Sequence, residues 1–177
     1  ALGEISSYPE GYKENGGIFC HNNPWIACGW ATLGEGDEAF NVYKKIAPAY
    51  LEDISEIHRT EPYVYAQMIA GKEASRHGEA KNSWLTGTAS WNFVAISQYI
   101  LGIHPEFSGL RIKPALPSFL KQFKVTRKFR NVTYHLSFHN EYQGKKGVRL
   151  SKEGVDLVGQ IIPYNAHEKI QYIHIYL

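Results

Sequence analysis

The chain has 177 residues, of which 44% are apolar, so it is long enough for one large core or two small domains and too apolar to be disordered. The 19 lysines and arginines against 17 aspartates and glutamates leave a net charge of +2, which argues against nucleic acid as a partner. No apolar run approaches the roughly 20 residues that a transmembrane helix needs, so we expect no membrane partner.

The two cysteines, Cys20 and Cys28, are too few for a disulfide framework and fit a reducing compartment. We therefore expect a cytoplasmic protein. The chain starts at Ala1 without an initiator methionine, and a loop rich in potential ligand-binding residues follows almost at once. These features lead us to expect a fragment of a longer protein.

The first prominent element is a loop over residues 8–25, which combines carboxylates, amides, aromatic rings, a lysine and a histidine with several glycines. Such a mixture is poor at forming a core and is typical of loops that bind hydroxyl-rich or anionic ligands. The loop ends at Asn23-Pro24, where an asparagine cap and a proline in the first turn favour a helix start.

Helices dominate the predicted elements up to about residue 101. The spacing of apolar residues predicts helices over residues 25–33 and 37–47, joined by a short glycine-containing loop. A further helix is predicted over residues 62–70, followed by a loop over residues 71–84. The last predicted helix covers residues 86–101 and is apolar on nearly every side, as expected for a buried helix.

Strands replace helices in the remainder of the chain. Val132, Tyr134, Leu136 and Phe138 alternate with more polar residues, which predicts a half-buried strand. Further strands are predicted over residues 124–129, 155–158, 160–162 and 169–176, with turns at 140–147 and 165–167. The expected class is α+β, with a helical part in residues 1–104 and a β domain with its linker in residues 105–177.

Four segments, residues 13–25, 61–67, 77–91 and 109–114, resemble the C-terminal portion of the cellobiose and chitobiose phosphorylase family. The first contains Cys-His-Asn-Asn-Pro-Trp and the third Ser-Trp-Leu-Thr-Gly-Thr-Ala-Ser-Trp. The resemblance covers residues 3–138 well and the later strands only loosely. It implies the last part of an (α/α)6 catalytic barrel, followed by a small antiparallel β-sandwich domain, in an enzyme that forms a homodimer.

The resemblance implies an inverting glycoside phosphorylase, a glycosyltransferase-type enzyme of carbohydrate metabolism in which phosphate attacks the anomeric carbon of a β-linked disaccharide. An inverting glycosidase needs a second carboxylate to activate water, whereas phosphate is already nucleophilic and needs only groups that hold it. The combination of Tyr8, Lys13 and Glu14 with the Cys-His-Asn-Asn-Pro-Trp run resembles cellobiose phosphorylases most. The implied reaction converts cellobiose and phosphate reversibly into α-glucose 1-phosphate and glucose.

Three residues match the phosphate-binding positions of the family: His21, Thr86 and Gly87. Thr86 and Gly87 precede a predicted helix, whose free amides favour an anion, and glycine lets the main chain approach closely. The residues alone leave other interpretations open, since Thr86 could simply cap the helix and His21 could be a hydrogen-bonded loop histidine.

Four residues match the sugar-binding positions of the family. Tyr8, Lys13 and Glu14 correspond to the group that holds the leaving glucose, and Gln67 to the glutamine that contacts the transferred sugar. A glutamine amide can both donate to and accept from sugar hydroxyls. Without the resemblance, Lys13 and Glu14 could be a solvated charge pair and Tyr8 a packing aromatic.

No catalytic residue is assigned, because no segment of this sequence matches the one that carries the family's catalytic aspartate. We therefore expect the isolated chain to be inactive and to need the remainder of the parent enzyme. No cofactor is expected beyond inorganic phosphate as co-substrate, and no metal, because the histidines form no cluster with ligand spacing. Three alternatives stay open: a phosphorylase of chitobiose or another β-glucoside, a non-catalytic carbohydrate-binding fragment, and a hydrolase with a related barrel.

Overall fold

The computed structural model describes residues 3–141 and 147–177. The chain forms two compact units, one from Ala1–Gly29 with Ala39–Ala95 and the other from Trp30–Glu38 with Ile96–Leu177. Most of the turn predicted over residues 140–147 lies outside the described residues.

Three of the four predicted helices lie close to their predicted positions. Helix α1 is Asn23–Thr32 and helix α2 is Gly36–Ile46, so both predicted helices are confirmed to within two residues. Short 3-10 turns follow at Pro48–Tyr50 and Glu52–Ile54, and α3 is a single turn at Ser55–His58. Helix α4, Thr88–Val94, starts two residues later than predicted and continues as a π-helix over Ala95–Ile100.

A three-stranded antiparallel sheet also lies in the first unit, among the described residues. It consists of β1 (Ile18–Phe19), β2 (Ala66–Ile69) and β3 (Ala80–Ser83), with β2 in the centre. The helix predicted over residues 62–70 is therefore wrong. Ala66 and Met68 are buried whereas Gln67 and Ile69 are half-buried, so burial follows the two-residue period of a strand. The small and polar residues of this segment hid that period in the sequence.

The second unit contains two sheets within the described residues. One consists of β4 (Ile103–Pro105), β5 (Gly109–Ile112) and β10 (Ile161–Pro163), in the order β10-β5-β4. The other is ordered β6-β7-β11-β8-β9 and is built from β6 (Gln122–Phe129), β7 (Val132–His139), β8 (Arg149–Lys152), β9 (Val155–Asp156) and β11 (Ile170–Tyr176).

The prediction of a purely antiparallel β domain is corrected at one pair of strands. Strands β7 and β11 run parallel, with Ile170 opposite Thr133 and Tyr176 opposite His139. The alternation of apolar residues shows which face of a strand is buried, but it does not show the direction of the neighbouring strand. The predicted strand at Val132 to Phe138 is confirmed, and its four alternating apolar side chains are buried.

Both sheets of the second unit contribute to one hydrophobic core, which includes Leu110 and Ile112 from one sheet and Tyr134, Leu136 and Ile175 from the other. The described residues therefore have an α+β fold with mixed sheets and few helices. Within the described ranges, no helix is long and apolar enough to cross a membrane.

Candidate functional site

The loop that precedes β1 is folded by its own main chain. The Gly11 amide donates to the carbonyl oxygen of Asn15 at 2.7 Å, and the Gly17 amide donates to that of Lys13 at 2.9 Å. The Asn15 side chain donates to the carbonyl oxygen of Tyr8 at 2.8 Å. These turns fix the backbone, and with it the directions in which Tyr8 and Lys13 project.

A glycine contact attaches this loop to the segment after β2. The Gly71 amide donates to the carbonyl oxygen of Gly11 at 2.8 Å. A Cβ atom on residue 71 would lie only 1.9 Å from the carbonyl oxygen of Gly16, so only glycine fits there without a backbone shift. The loop and the strand that carries Gln67 are therefore held together.

A cavity of about 460 Å³ lies between the loop and the sheet of the first unit. Tyr8, Lys13, Glu14 and Gln67 all line it, so the structure brings together the four residues predicted to bind sugar. Its remaining lining residues are Gly17, Phe19, Asn22 and Met68. A cavity of this size, lined by two aromatic rings and several polar groups, has the dimensions of a small-molecule site.

Tyr8 forms an aromatic wall of the cavity with charged groups around it. Its hydroxyl donates to Glu4 Oε1 at 3.3 Å, and Lys13 Nζ lies 5.8 Å from the centre of its ring. Burial, followed by the carboxylates of Glu4 and Glu14, raises the pKa of Tyr8. The phenol therefore stays neutral at physiological pH and can both donate and accept hydrogen bonds.

Gln67 is oriented by a residue that the sequence did not single out. The side-chain amide of Asn82, on β3, donates to Gln67 Oε1 at 2.8 Å. Because the carbonyl end of Gln67 is occupied in this way, its NH₂ end remains as the group that can donate to a ligand. Asn82 itself lies at φ +51°, a left-handed conformation that asparagine tolerates better than most residues.

The three residues predicted to bind phosphate also lie together. His21 lies in a 3-10 turn, Cys20–Asn22, directly after β1, whereas Thr86 and Gly87 immediately precede α4. A Cβ atom on residue 87 would be 2.6 Å from His21 Cε1, so the imidazole packs directly on the bare Cα of Gly87. All three residues are half-buried.

The residues predicted to bind phosphate and those predicted to bind sugar are connected through the aromatic rings around His21. The Phe19 ring stacks near the His21 ring at a centroid distance of 6.1 Å and an interplanar angle of 20°, and Phe19 also lines the cavity. On another side, Trp25 meets the imidazole edge-on at 5.6 Å. His21 is therefore fixed between aromatic rings, one residue away from the cavity-lining Asn22.

Thr86 forms part of a small cluster of hydroxyl and main-chain groups. Thr86 Oγ1 accepts the amide hydrogen of Thr88 at 3.1 Å and lies 2.6 Å from Thr88 Oγ1. Thr88 Oγ1 in turn lies 3.3 Å from the carbonyl oxygen of Ala66 on β2. Thr88 is fully buried, and its place in the predicted helix was the only sign of it in the sequence.

Cys20, next to His21, does not have the properties of a nucleophile. Its side chain is buried, and burial raises the pKa of the thiol to about 11. The thiol therefore stays protonated at neutral pH, whereas nucleophilic cysteines are thiolates in polar, accessible surroundings. In the part of the chain that the structure describes, no group of three or more histidine, cysteine, aspartate or glutamate residues could hold a metal ion.

The catalytic-domain model of the glycosyl hydrolase 94 superfamily matches residues 1–102. The chain belongs to this superfamily. The matched range contains every residue that lines the cavity and also His21, Thr86 and Gly87, so both groups lie in the part of the chain that corresponds to the superfamily's catalytic domain.

Several curated proteins are similar in sequence to this chain. An N,N'-diacetylchitobiose phosphorylase of Vibrio proteolyticus is 40% identical over 92% of the chain and 20% of its own length. A solabiose phosphorylase of Paenibacillus borealis is 33% identical over 92% of the chain and 21% of its own length. The cyclic β-(1,2)-glucan synthase NdvB of Rhizobium meliloti is 31% identical over 95% of the chain but only 6% of its own length. The chain thus spans about a fifth of the length of these phosphorylases.

These relatives do not support the expectation that the chain resembles cellobiose phosphorylases most. The highest of the three identities, 40%, is to a phosphorylase named for N,N'-diacetylchitobiose. The physical reason lies in the residues used for that expectation. Tyr8, Lys13 and Glu14 offer an aromatic ring and charged hydrogen-bonding groups, which any disaccharide with several hydroxyls can use.

Proposed function

We propose that this chain is part of an inverting glycoside phosphorylase that cleaves a β-linked disaccharide with inorganic phosphate. The observation that carries the proposal is the adjacency of the two groups of residues. The His21 ring packs on Gly87, and Phe19, which lies against that ring, lines the cavity that holds Tyr8, Lys13, Glu14 and Gln67. A phosphorylase needs such adjacency, because phosphate must reach the anomeric carbon of the bound sugar.

His21, Thr86 and Gly87 are proposed to hold the phosphate. The imidazole and the Thr86 hydroxyl can each donate a hydrogen bond to it, and Gly87 has no side chain to keep the anion away from the main chain. Hydrogen bonds to a charged group contribute about 1.5–3 kcal/mol each. The protein then needs no carboxylate to activate water, because the bound phosphate is itself the nucleophile.

The cavity is proposed to hold the sugars, with Tyr8, Lys13 and Glu14 at the leaving unit and Gln67 at the transferred unit. The hydrogen bond from Asn82 supports a donor role for Gln67 towards an oxygen of the sugar. The general acid that protonates the departing oxygen is proposed to lie in the remainder of the parent enzyme, which would also complete an (α/α)6 barrel and form a homodimer.

Two disaccharides are proposed as alternative substrates. Cellobiose follows from the predicted roles of Tyr8, Lys13 and Glu14, whereas N,N'-diacetylchitobiose follows from the 40% identity to a phosphorylase of that name. Both are β-linked disaccharides with a hydroxyl-rich leaving unit. The shared proposal is therefore phosphorolysis of a β-linked disaccharide of glucose or N-acetylglucosamine.

Sugar binding by the exposed face of the five-stranded sheet is less well supported. The rings on this face stack on one another: His135 on Tyr172 with an interplanar angle of 17°, and His139 on Tyr176 with 15°. Arg149 lies 4.1 Å from the centre of the Tyr176 ring. One face of each of these rings is therefore covered by a protein group, which reduces the aromatic surface on which a sugar could stack.

The proposal is tested by incubating the full-length protein with cellobiose or N,N'-diacetylchitobiose and phosphate, and by measuring the sugar 1-phosphate formed. His21→Ala should raise the KM for phosphate about tenfold or more, the loss expected for one charge-assisted hydrogen bond, and leave the KM for the disaccharide within twofold. His77→Ala is the matched control, because His77 is exposed in the same unit, does not line the cavity and is not one of the proposed phosphate-binding residues. Release of free sugars without consumption of phosphate would contradict the proposal.

A further inference from the structure

The environment of Thr88 constrains where the hydroxyl hydrogen of Thr86 can point. Three contacts involve the two hydroxyls. Thr86 Oγ1 lies close to Thr88 Oγ1 and accepts from the Thr88 amide, and Thr88 Oγ1 lies near the Ala66 carbonyl oxygen. A hydroxyl has one hydrogen to donate and two lone pairs that accept, and a carbonyl oxygen only accepts. The 2.6 Å contact requires one hydrogen between the two hydroxyl oxygens, so two arrangements are possible, and in the second the Ala66 carbonyl receives no hydrogen from Thr88.

In the first arrangement, Thr88 donates to the carbonyl of Ala66, so the hydrogen between the two hydroxyl oxygens must belong to Thr86. The only hydrogen of Thr86 then points inward. In the second arrangement, Thr88 donates to Thr86, whose two lone pairs are then occupied by the amide and the hydroxyl of Thr88. The Thr86 hydrogen is left to point away from the cluster, towards a ligand.

The distances favour the second arrangement. The separation of 2.6 Å between Thr86 Oγ1 and Thr88 Oγ1 lies within the usual O–H···O range, whereas the 3.3 Å from Thr88 Oγ1 to the Ala66 carbonyl lies beyond it. Thr88 is fully buried, so water does not compete for its hydroxyl. A hydrogen bond that Thr86 accepts also polarises its own O–H and makes it a better donor.

We propose that Thr88 is a positioning residue for the anion site: its hydroxyl donates to Thr86 and thereby directs the Thr86 hydrogen towards phosphate. This inference rests on the proposed function. It assigns a role in phosphate affinity to a side chain that is buried behind Thr86, and it differs from a capping role, which would affect the stability of α4 but not the affinity for one substrate.

The experiment compares Thr88→Val with Thr88→Ser in the full-length protein. Valine has nearly the shape of threonine but cannot donate, whereas serine keeps the hydroxyl. The valine variant should raise the KM for phosphate about fivefold, the factor that corresponds to one ordinary hydrogen bond, and leave kcat and the KM for the disaccharide within twofold. Thr88→Ser should return the KM for phosphate to within twofold of wild type. Thr88→Ala replaces the valine variant in the same comparison if the valine variant does not fold.

A double-mutant cycle separates this role from a purely structural one. In the background of Thr86→Ala, the valine substitution should cause no further change in the KM for phosphate, because the group on which Thr88 acts is gone. Consumption of phosphate by the wild type and weaker phosphate use by Thr86→Ala test the proposed function separately. If both are observed, an unchanged KM in Thr88→Val, an undiminished effect in the double variant, or failure of serine to restore affinity would overturn the inference.

Discussion

Replacement of Gly87 by alanine should disrupt the proposed phosphate site through a single steric contact. Gly87 has φ −82° and ψ 2°, so an alanine adopts this backbone conformation without strain. Its Cβ, however, would lie 2.6 Å from His21 Cε1, whereas ordinary contacts begin at 3.4 Å. The imidazole must therefore move by about 0.8 Å, which is enough to lengthen a hydrogen bond of about 2.8 Å to phosphate beyond its useful range.

The expected loss follows from that displaced hydrogen bond. A hydrogen bond to a charged group contributes about 1.5–3 kcal/mol, so the KM for phosphate should rise about tenfold or more, while the KM for the disaccharide stays within twofold. Steady-state kinetics of the full-length protein, with each substrate varied in turn, measures both values. The substitution should have little effect on the thermal unfolding temperature, because the Gly87 backbone is not in a conformation reserved for glycine.

Gly29→Ala is the matched control. Gly29 lies inside α1 and is exposed, and nothing lies within 4 Å of the Cβ that alanine would add. Alanine should stabilise this helix by about 0.5–1 kcal/mol and leave both KM values unchanged. In a His21→Ala background, Gly87→Ala should add little to the KM for phosphate. An unchanged KM in the single variant, or an equal effect in the double variant, would show that the contact with His21 is not the cause.

Two further predictions concern the same unit. Asn82→Gly removes the amide that orients Gln67 without introducing strain at φ +51°, and should raise the KM for the disaccharide about fivefold. This effect should vanish in a Gln67→Ala background, and its persistence there would refute the orienting role. Burial lowers the pKa of His58, so below pH 6.5 the unfolded state binds more protons than the folded state and stability falls. The contribution is at most about 1.4 kcal/mol for each pH unit. His58→Gln should make the free energy of unfolding, measured in urea from pH 7.5 to 5, less dependent on pH. The pKa of His104 is also lowered, so part of the slope should remain. An identical slope in the variant would contradict this assignment.

Local sequence signals were sufficient where one residue type determines the backbone. Asn23-Pro24 predicted the start of α1 and the glycine-containing loop after residue 33 predicted its end, and the structure confirms both to within two residues. The alternation from Val132 to Phe138 predicted both β7 and its buried face. In each case the physical cause, a cap, a helix-breaking residue or a period of two, lies within a few residues of its effect.

Features that depend on distant parts of the chain were missed. The strand at Ala66–Ile69 forms because it pairs with Ile18–Phe19 and Ala80–Ser83, and local composition carries no trace of these partners. The parallel pairing of β7 with β11 has the same origin. At the candidate site, the residues matched by resemblance lie close together, but Thr88 and Asn82 are recognisable only from their distances to Thr86 and Gln67.

The contact between Gly71 and the loop before β1 has a consequence for engineering the proposed sugar site. Transplanting only residues 8–17 from a relative with another substrate would place a foreign loop against a Gly71 segment to which it is not adapted. The carbonyl of Gly16 leaves no room for a Cβ at position 71, and the Gly71 amide requires the carbonyl of Gly11 as its partner. A successful chimera should therefore exchange the loop and the turn after β2 together, as one cassette whose two pieces are about 60 residues apart in the chain.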